Sequence, residues 1–424
     1  MFTNLLAVFF YVGTRVLFDI RVSGLRNFSV SPSTVIATVH KSDLDEIIVA
    51  STIHLRRTLF RPRFRMWFAA RDDTFAQGFL STHFQLPRFL GRLLHAVDLS
   101  PIMAAFRARP ISRLTRINVG QILRDVYGCE GNVPLRDVLK TQWIARFARF
   151  LPPSIGANLR NVRLRDFLKY DYRLLHTLRC ESSMLRTDVL KKMRRRLLDR
   201  VNSQLAAFSN ILDEGGILFF TPEDEHSPDG RFGPVRSGLH RLVRMAKTDI
   251  RILPISITYD RLATGRIRVH VAVGPEIMNL KELAKNEFER LVQTSLTRLG
   301  VVGVAQIGGR YLWRMAQENA EVIEKDLFVE ETLSLARKLR SLGLTVDDDL
   351  TDRKPLAKRL DKFVKYCLAR HWLRSGSNGR LIVNRNIIPD SSQSIGNAHA
   401  LQYSYNELIT HQLAYGVEEP ALGL

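Results

Sequence analysis

Residues 34–46 read TVIATVHKSDLDE, and the order of these side chains decides the fold. Thr34, Val35, Ile36, Ala37, Thr38 and Val39 form an apolar, β-branched run, the composition of a short buried strand. The run ends at His40. Ser42 offers an N-cap, and Asp45, three residues on, completes a capping-box pattern. Asp43, Asp45 and Glu46 load the first turn of a helix with negative charge, where the helix dipole favours it. The stretch therefore predicts a strand, a sharp exit and a helix start, with an imidazole and a carboxylate close together. Acidic first turns also cap ordinary helices, so the pair gains meaning only from the segments downstream of it.

The whole chain of 424 residues has room for one large domain with an extension, or for two domains. Apolar residues make up 45%, enough for a sizeable core and against wholesale disorder. A formal net charge of +21 suits nucleic acid, an anionic membrane surface or phosphate-bearing substrates. The basic residues spread over the whole chain and no recognition motif accompanies them, so nucleic acid is not an expected partner. Cys129, Cys180 and Cys367 are widely separated. They make neither a metal spacing nor an even disulfide set, which favours a reducing compartment and no metal.

The N-terminus, MFTNLLAVFFYVGTRVLFDI, is apolar from Leu5 to Phe18 apart from Thr14 and Arg15. A spanning helix needs about 20 predominantly apolar residues, so the run is short and interrupted. A signal peptide would want a basic start, and Met1–Asn4 carries no basic side chain. Two readings stand: a helix in the membrane interface with Arg15 and Arg21 near head-group phosphates, or a helix covering the protein's own core. Val22 to Leu25 then reads as a short strand and turn.

A helix over Ile47–Leu59 leads to a basic patch, Arg56, Arg57, Arg61, Arg63 and Arg65, and to a second strand over Met66–Ala70. Residues 73–100 are aromatic and helix-like, which suits a core or the lining of an apolar channel. Ser100 and Pro101 start a helix, after which Arg107, Arg109 and Arg113 cluster around Pro110 and Ile111. An arginine fork suits a phosphate dianion, and a solvated basic loop is the plainer alternative. Residues 114–210 read as helical and very basic, with a charge run at Lys191–Arg196. Gly215 and Gly216 turn the chain into a buried strand, Ile217–Phe220, which breaks at Thr221-Pro222-Glu223-Asp224. Ile250–Tyr259 predicts another buried strand, broken by Pro254. The alternation from Arg266 to Val273 predicts a half-exposed one. From Asn279 the chain turns helical, with an acidic loop at Asp347–Asp349, a flexible turn over 374–380, a β-ribbon over Ile382–Ile388, and a last helix from Tyr403 to about His411.

Four of these features, in this order, resemble the sequence blocks of the glycerolipid acyltransferase superfamily. His40 and Asp45, with four residues between them, look like its histidine–aspartate motif. Arg113, with Ile111, lies where the second block puts its arginine, although Arg107 and Pro110 stand where that block has glycine and phenylalanine. Pro222 and Glu223 match the third block, whose usual glycine–threonine–arginine continuation is replaced here by Asp224, Glu225 and His226, with Ser227 retained. Pro254 matches the apolar, proline-containing fourth block. The resemblance covers roughly residues 20–275.

The resemblance implies transfer of a fatty acyl group from acyl-CoA or acyl-carrier protein to the hydroxyl of glycerol-3-phosphate or 1-acylglycerol-3-phosphate. No cofactor is implied beyond the thioester co-substrate, nor any covalent acyl-enzyme. His40 would act as general base and Asp45 would hold its imidazole. Arg113, Glu223, Arg231 and Arg236 are the candidates for holding the acceptor's phosphate, with Glu223 alternatively bonding loop amides. The Lys191–Arg196 run would be a solvated face or would meet anionic lipid or the phosphates of coenzyme A. Another lysophospholipid or lipid alcohol as acceptor, or an inactive member that binds anionic lipid, are the alternatives.

The expected architecture is an α/β fold with a mixed sheet flanked by helices. A membrane-associating segment would occupy residues 1–30 and an acyltransferase domain residues 31–278, with a helical insertion at 114–210. A mostly helical extension would occupy residues 279–424. The expected location is the cytoplasmic face of a membrane.

Overall fold

The computed structural model describes residues 2–29, 31–58, 66–75, 97–112, 119–149, 156, 158–169, 183–223, 227–384 and 399–417. The chain divides into two compact units, one made of Met1–Trp67 with Ser209–Leu424 and the other of Phe68–Phe208. The smaller unit begins well before the expected insertion, and the C-terminal third belongs to the same unit as His40.

In chain order, the larger unit opens with α1 (Phe2–Leu17), β1 (Phe18–Ser23), β2 (Thr34–Thr38) and α2 (Asp45–Ile53). The smaller unit carries the parallel pair β3 (Met66–Arg71) and β4 (Ala108–Ile111). It also carries α3 (Val119–Glu130), α4 (Thr141–Ala148) and most of the long α5 (Thr187–Asp213). Leu123, Val126, Trp143, Phe147 and Met193 form its core. The larger unit resumes with β5 (Ile217–Phe220), α6 (Ser237–Met245), β6 (Arg251–Asp260) and β7 (Ile267–Val273). The helices α7 (Lys285–Arg298), α8 (Val304–Gln317), α9 (Lys325–Ser341), α10 (Arg353–Ala369) and α11 (Ala400–Ala414) complete it.

The protein is α/β, with a mixed sheet flanked by helices. In the larger unit the strands run in the order β1-β7-β6-β2-β5. β2 is parallel to β5 and β6, β6 is antiparallel to β7, and β7 is parallel to β1. With neighbours on both edges and helices over the faces, every residue of β2 is buried. That is why its sequence is a continuous apolar run rather than an alternation. β5 enters the sheet from a Schellman turn: Gly216 N–H donates to Ile211 O and Gly215 N–H to Leu212 O, both at 2.8 Å. Gly215 takes φ +82°, a conformation in which side chains are strained.

Two strands correct the reading of the sequence. β6 is one continuous strand through Pro254, not a broken one. Its proline sits at the last rung of the β7 ladder, where its carbonyl still accepts from Gly274 N–H at 2.9 Å, so only one ladder bond is forfeited. β7 is buried almost throughout, not half-exposed. Its polar members Arg268 and His270 are covered by acids: Arg268 Nη1 lies 2.8 Å from Asp347 Oδ2 and 2.6 Å from Asp349 Oδ2, and Arg268 Nε lies 2.9 Å from Asp19 Oδ2. His270 Nε2 is 3.3 Å from Asp347 Oδ2. Burial works against the Arg268 and Asp347 charges, but the pairing overcomes it, holding the guanidinium above and the carboxyl below their usual ranges.

The expected N-terminal segment is likewise part helix and part sheet, since β1 starts at Phe18 and pairs with β7. Within α1, Leu5, Val8, Phe9, Val12 and Val16 lie at helical spacing and are exposed. Among the described residues no helix is long and apolar enough to cross a membrane. The expected β-ribbon is seen in part: Leu381–Val383 pairs with Leu373–Ser375 and with Val322–Ile323, while residues 385–388 lie outside the described residues.

Candidate active site

His40 lies just past the carboxyl end of β2, at the edge where parallel α/β sheets place their ligand sites. Its side chain is 13% exposed, and Nδ1 lies 3.7 Å from Asp45 Oδ2. That is an ion-pair separation, longer than a hydrogen bond. Asp45, fully buried, is occupied by the loop itself: Oδ2 accepts Lys41 N–H at 2.5 Å and Ser42 N–H at 2.8 Å. The reach from Asp45 to Ser42 N–H is the carboxylate half of the capping box the sequence suggests. The other half is altered, because Ser42 Oγ accepts from Leu44 N–H, at 3.3 Å, and the helix begins at Asp45. Asp45 Oδ1 accepts from the Tyr259 hydroxyl on β6, at 2.5 Å. Burial, and then the Asp45 charge, push the Tyr259 phenol well above its usual range, so it remains a donor.

Glu223, just past the end of β5, ties this loop to the next one. Its Oε1 accepts from His40 N–H at 3.3 Å and its Oε2 from Gly233 N–H at 3.2 Å. A Cβ on Gly233 would come within 3.3 Å of that oxygen, tighter than ordinary contact. Burial raises the Glu223 carboxyl to about 7, with the two N–H donors and the Lys41 charge opposing the rise. Glu223 is thus placed as a brace between loops, the second of its two sequence readings.

The third wall comes from the far end of the chain. The Lys41 ammonium pairs with Glu407 of α11, whose other oxygen accepts from Gln306 Nε2 of α8 at 2.5 Å. Burial opposes the Glu407 charge, but the Lys41 ammonium, with the hydrogen bonds from Lys41 and Gln306, holds its carboxyl below the usual range. His411, one turn further, is buried, with Nδ1 3.0 Å from Thr297 O; burial pushes it down to about 4, so it is neutral. Val39 and Lys41, the neighbours of His40, line a small cleft of about 20 Å³, room for about one water molecule, with Glu223, Arg231, Glu407 and His411.

The structure brings His40, Asp45 and Glu223 together, and Arg231 lines the cleft that Glu223 also borders. Arg231 is exposed, 3.8 Å from Asp229 through its Nε. Arg236 is exposed at the start of α6, where its N–H donates to Pro222 O at 2.9 Å. Arg113 lies outside the described residues, as do Asp224, Glu225 and His226 and most of the aromatic stretch 73–100. Among the described residues no cluster of three or more metal-ligating side chains occurs.

Tyr259, Gln306 and Glu407 are the site residues that sequence reasoning missed. Tyr259 had no local signal. Glu407 had a faint one, as the one acid in its helix. As an arrangement, the site offers a nearly buried imidazole beside a carboxylate, on a loop fixed from three sides and bordering a cleft with cationic and anionic walls. That is equipment for proton transfer to or from a polar substrate. No protein-family model matches the chain, and no curated protein matches it.

Proposed function

We propose that this protein is an O-acyltransferase of the glycerolipid type. It moves a fatty acyl group from acyl-CoA or acyl-carrier protein to the hydroxyl of glycerol-3-phosphate or 1-acylglycerol-3-phosphate. The observation that carries the reading is that the histidine–aspartate loop and the proline–glutamate loop, 183 residues apart, are joined by Glu223 accepting the His40 N–H. The two sequence blocks that most resemble the superfamily therefore meet at the carboxyl ends of adjacent parallel strands.

In this reading His40 removes the acceptor hydroxyl's proton as the oxygen attacks the thioester carbonyl. The new C–O bond forms, the C–S bond breaks, and the thiolate leaves with a proton returned from the imidazolium. An alcohol's pKa is roughly 16, near that of water, so unaided attack is slow at neutral pH. A positioned base contributes roughly 100- to 10,000-fold. Asp45 stabilises the imidazolium electrostatically at 3.7 Å, while Tyr259 and the loop amides hold the carboxylate still. Arg231, on the rim, is the described cation best placed for an acceptor phosphate. The exposed apolar face of α1, bordered by Arg56 on the Tyr11 hydroxyl, suits shallow insertion into the cytoplasmic face of an anionic membrane.

The test is incubation with labelled palmitoyl-CoA, or the acyl-carrier thioester, and a panel of glycerol-3-phosphate, lysophosphatidate and lysophospholipids. One labelled product, lost in His40→Ala, supports the reading and names the acceptor. No product with any pair removes it.

A further inference from the structure

We infer that Glu407, near the end of the chain, is a positioning residue for the His40 loop and acts through Lys41. The inference deepens the acyltransferase reading and rests on it for its kinetic arm.

Lys41 is the residue covalently next to His40, and it is held at three points. Its N–H donates to Asp45 Oδ2 at 2.5 Å, its carbonyl accepts from Arg261 Nη2 at 3.2 Å, and its ammonium pairs with Glu407. Glu407 is itself fixed by a buried chain: Gln306 Nε2 donates to Glu407 Oε2 at 2.5 Å, and Gln306 Oε1 accepts from Gly303 N–H at 2.8 Å. The side chains of Lys41 and Glu407 are 11% and 4% exposed, and Gln306 is fully buried. The rigid start of α8 thereby locates the backbone next to the imidazole. The same helix α11 also grips the neighbouring loop, since Asn406 Nδ2 donates to Asp229 O at 2.9 Å. Gly230 passes so close to α11 that a Cβ there would lie 2.1 Å from Tyr403 O.

Physical chemistry argues that this pair is kept for geometry rather than for stability. Two charges taken out of water recover little net free energy from each other, and an apolar pair of similar volume commonly serves as well or better. What an apolar pair lacks is direction. An ammonium between a carboxylate and its own anchored backbone sets the loop's position within a fraction of an ångström, and a displacement of about 1 Å at a reacting group costs up to about 100-fold in rate.

The experiment uses the full chain with Glu407→Gln, Glu407→Asp, Lys41→Met and the pair Lys41→Met/Glu407→Gln. Acceptor kcat and KM, thermal unfolding and deuterium uptake by the peptide spanning residues 39–45 are measured for each. A single variant that strands one buried charge is expected to lose stability, so the paired variant carries the decision. The expected result is a paired variant that unfolds near the wild-type temperature, keeps acceptor KM within about twofold, and has kcat reduced about 10- to 100-fold. Its loop peptide exchanges faster than in the wild type. Glu407→Asp, which keeps the charge but shortens the reach, is expected to fall between. A paired variant with wild-type kcat and unchanged uptake would overturn the inference. Absence of acyl transfer by the wild type would instead overturn the proposed reaction, and deuterium uptake would still decide whether Glu407 holds the loop.

Discussion

Two buried ionic clusters in the larger unit look alike as inventories and differ in how they hold their cations and rings. Around β7, Arg268 is met by Asp19, Asp347 and Asp349, and His270 shares Asp347; the acids come from β1 and from the loop before α10. Around the end of β2, Asp45, Glu223 and Glu407 hold backbone amides and Lys41, while the His40 ring stands 3.7 Å from Asp45 and its chain neighbours line a cleft. The first cluster ties distant segments together. In the second, the carboxylates bind the loop that carries the imidazole, and the neighbours of His40 line the cleft. The first cluster is built from charge pairs between distant segments, and the second fixes one loop and the ring that the loop carries.

Substitutions sharpen the contrast. The largest effect is expected from His40→Ala, a loss of about 100- to 10,000-fold in transfer with little change in thermal stability. Equal loss of stability would make His40 a structural histidine and dissolve the distinction. Next, Arg268→Met leaves the buried Asp347 without its guanidinium and is expected to destabilise by about 3–5 kcal/mol in chemical denaturation. The surviving folded fraction should keep its KM, and a changed KM would tie this cluster to the site.

The pH dependence of the two clusters runs in opposite directions. Glu223 is raised from 4.5 to about 7, so between those values the folded protein binds a proton that the unfolded chain releases. Its contribution is present below the unfolded value and is lost as pH rises toward about 7, amounting to about 3 kcal/mol. Asp347 is held below its ordinary 3.8, so its contribution is present above that value and is lost as pH falls through the folded one. Unfolding of Glu223→Gln between pH 4.5 and 7 should therefore lack a downward slope that the wild type shows. An identical slope would mean the carboxyl is not held protonated by burial. The smallest effect is expected from Tyr259→Phe, which strips one donor from Asp45. A loss of about 1–3 kcal/mol and a several-fold lower kcat are expected in denaturation and transfer assays. No kinetic change would leave Tyr259 as a purely structural partner.

What was legible from the residues was short-range. Within the apolar run, Thr34–Thr38 is a strand because its side chains are largely β-branched and apolar. Asp45 turns back on the Ser42 amide because three residues of chain put it there. Gly215 and Gly216 end α5 for the same local reason. The reading failed where a polar side chain has a distant partner. Arg268 and His270 gave β7 an alternating pattern that reads as half-exposed, and only the acids at Asp19 and Asp347 make its burial possible. Pro254 reads as a break until the end of the β7 ladder is seen to coincide with it.

The site divides along the same line. The sequence by itself determined that an imidazole and a carboxylate stand together where a buried strand becomes a helix, since chain connectivity and capping chemistry permit little else. The tertiary structure decided that Asp45 is held by Tyr259, 214 residues away, and that Lys41 is held by Glu407, 366 residues away. Ion pairs and hydrogen bonds act over a few ångströms of space and are indifferent to separation along the chain. The pairing of β6 beside β2 brings Tyr259 to Asp45, and only the packing of α8 and α11 brings Glu407 to Lys41.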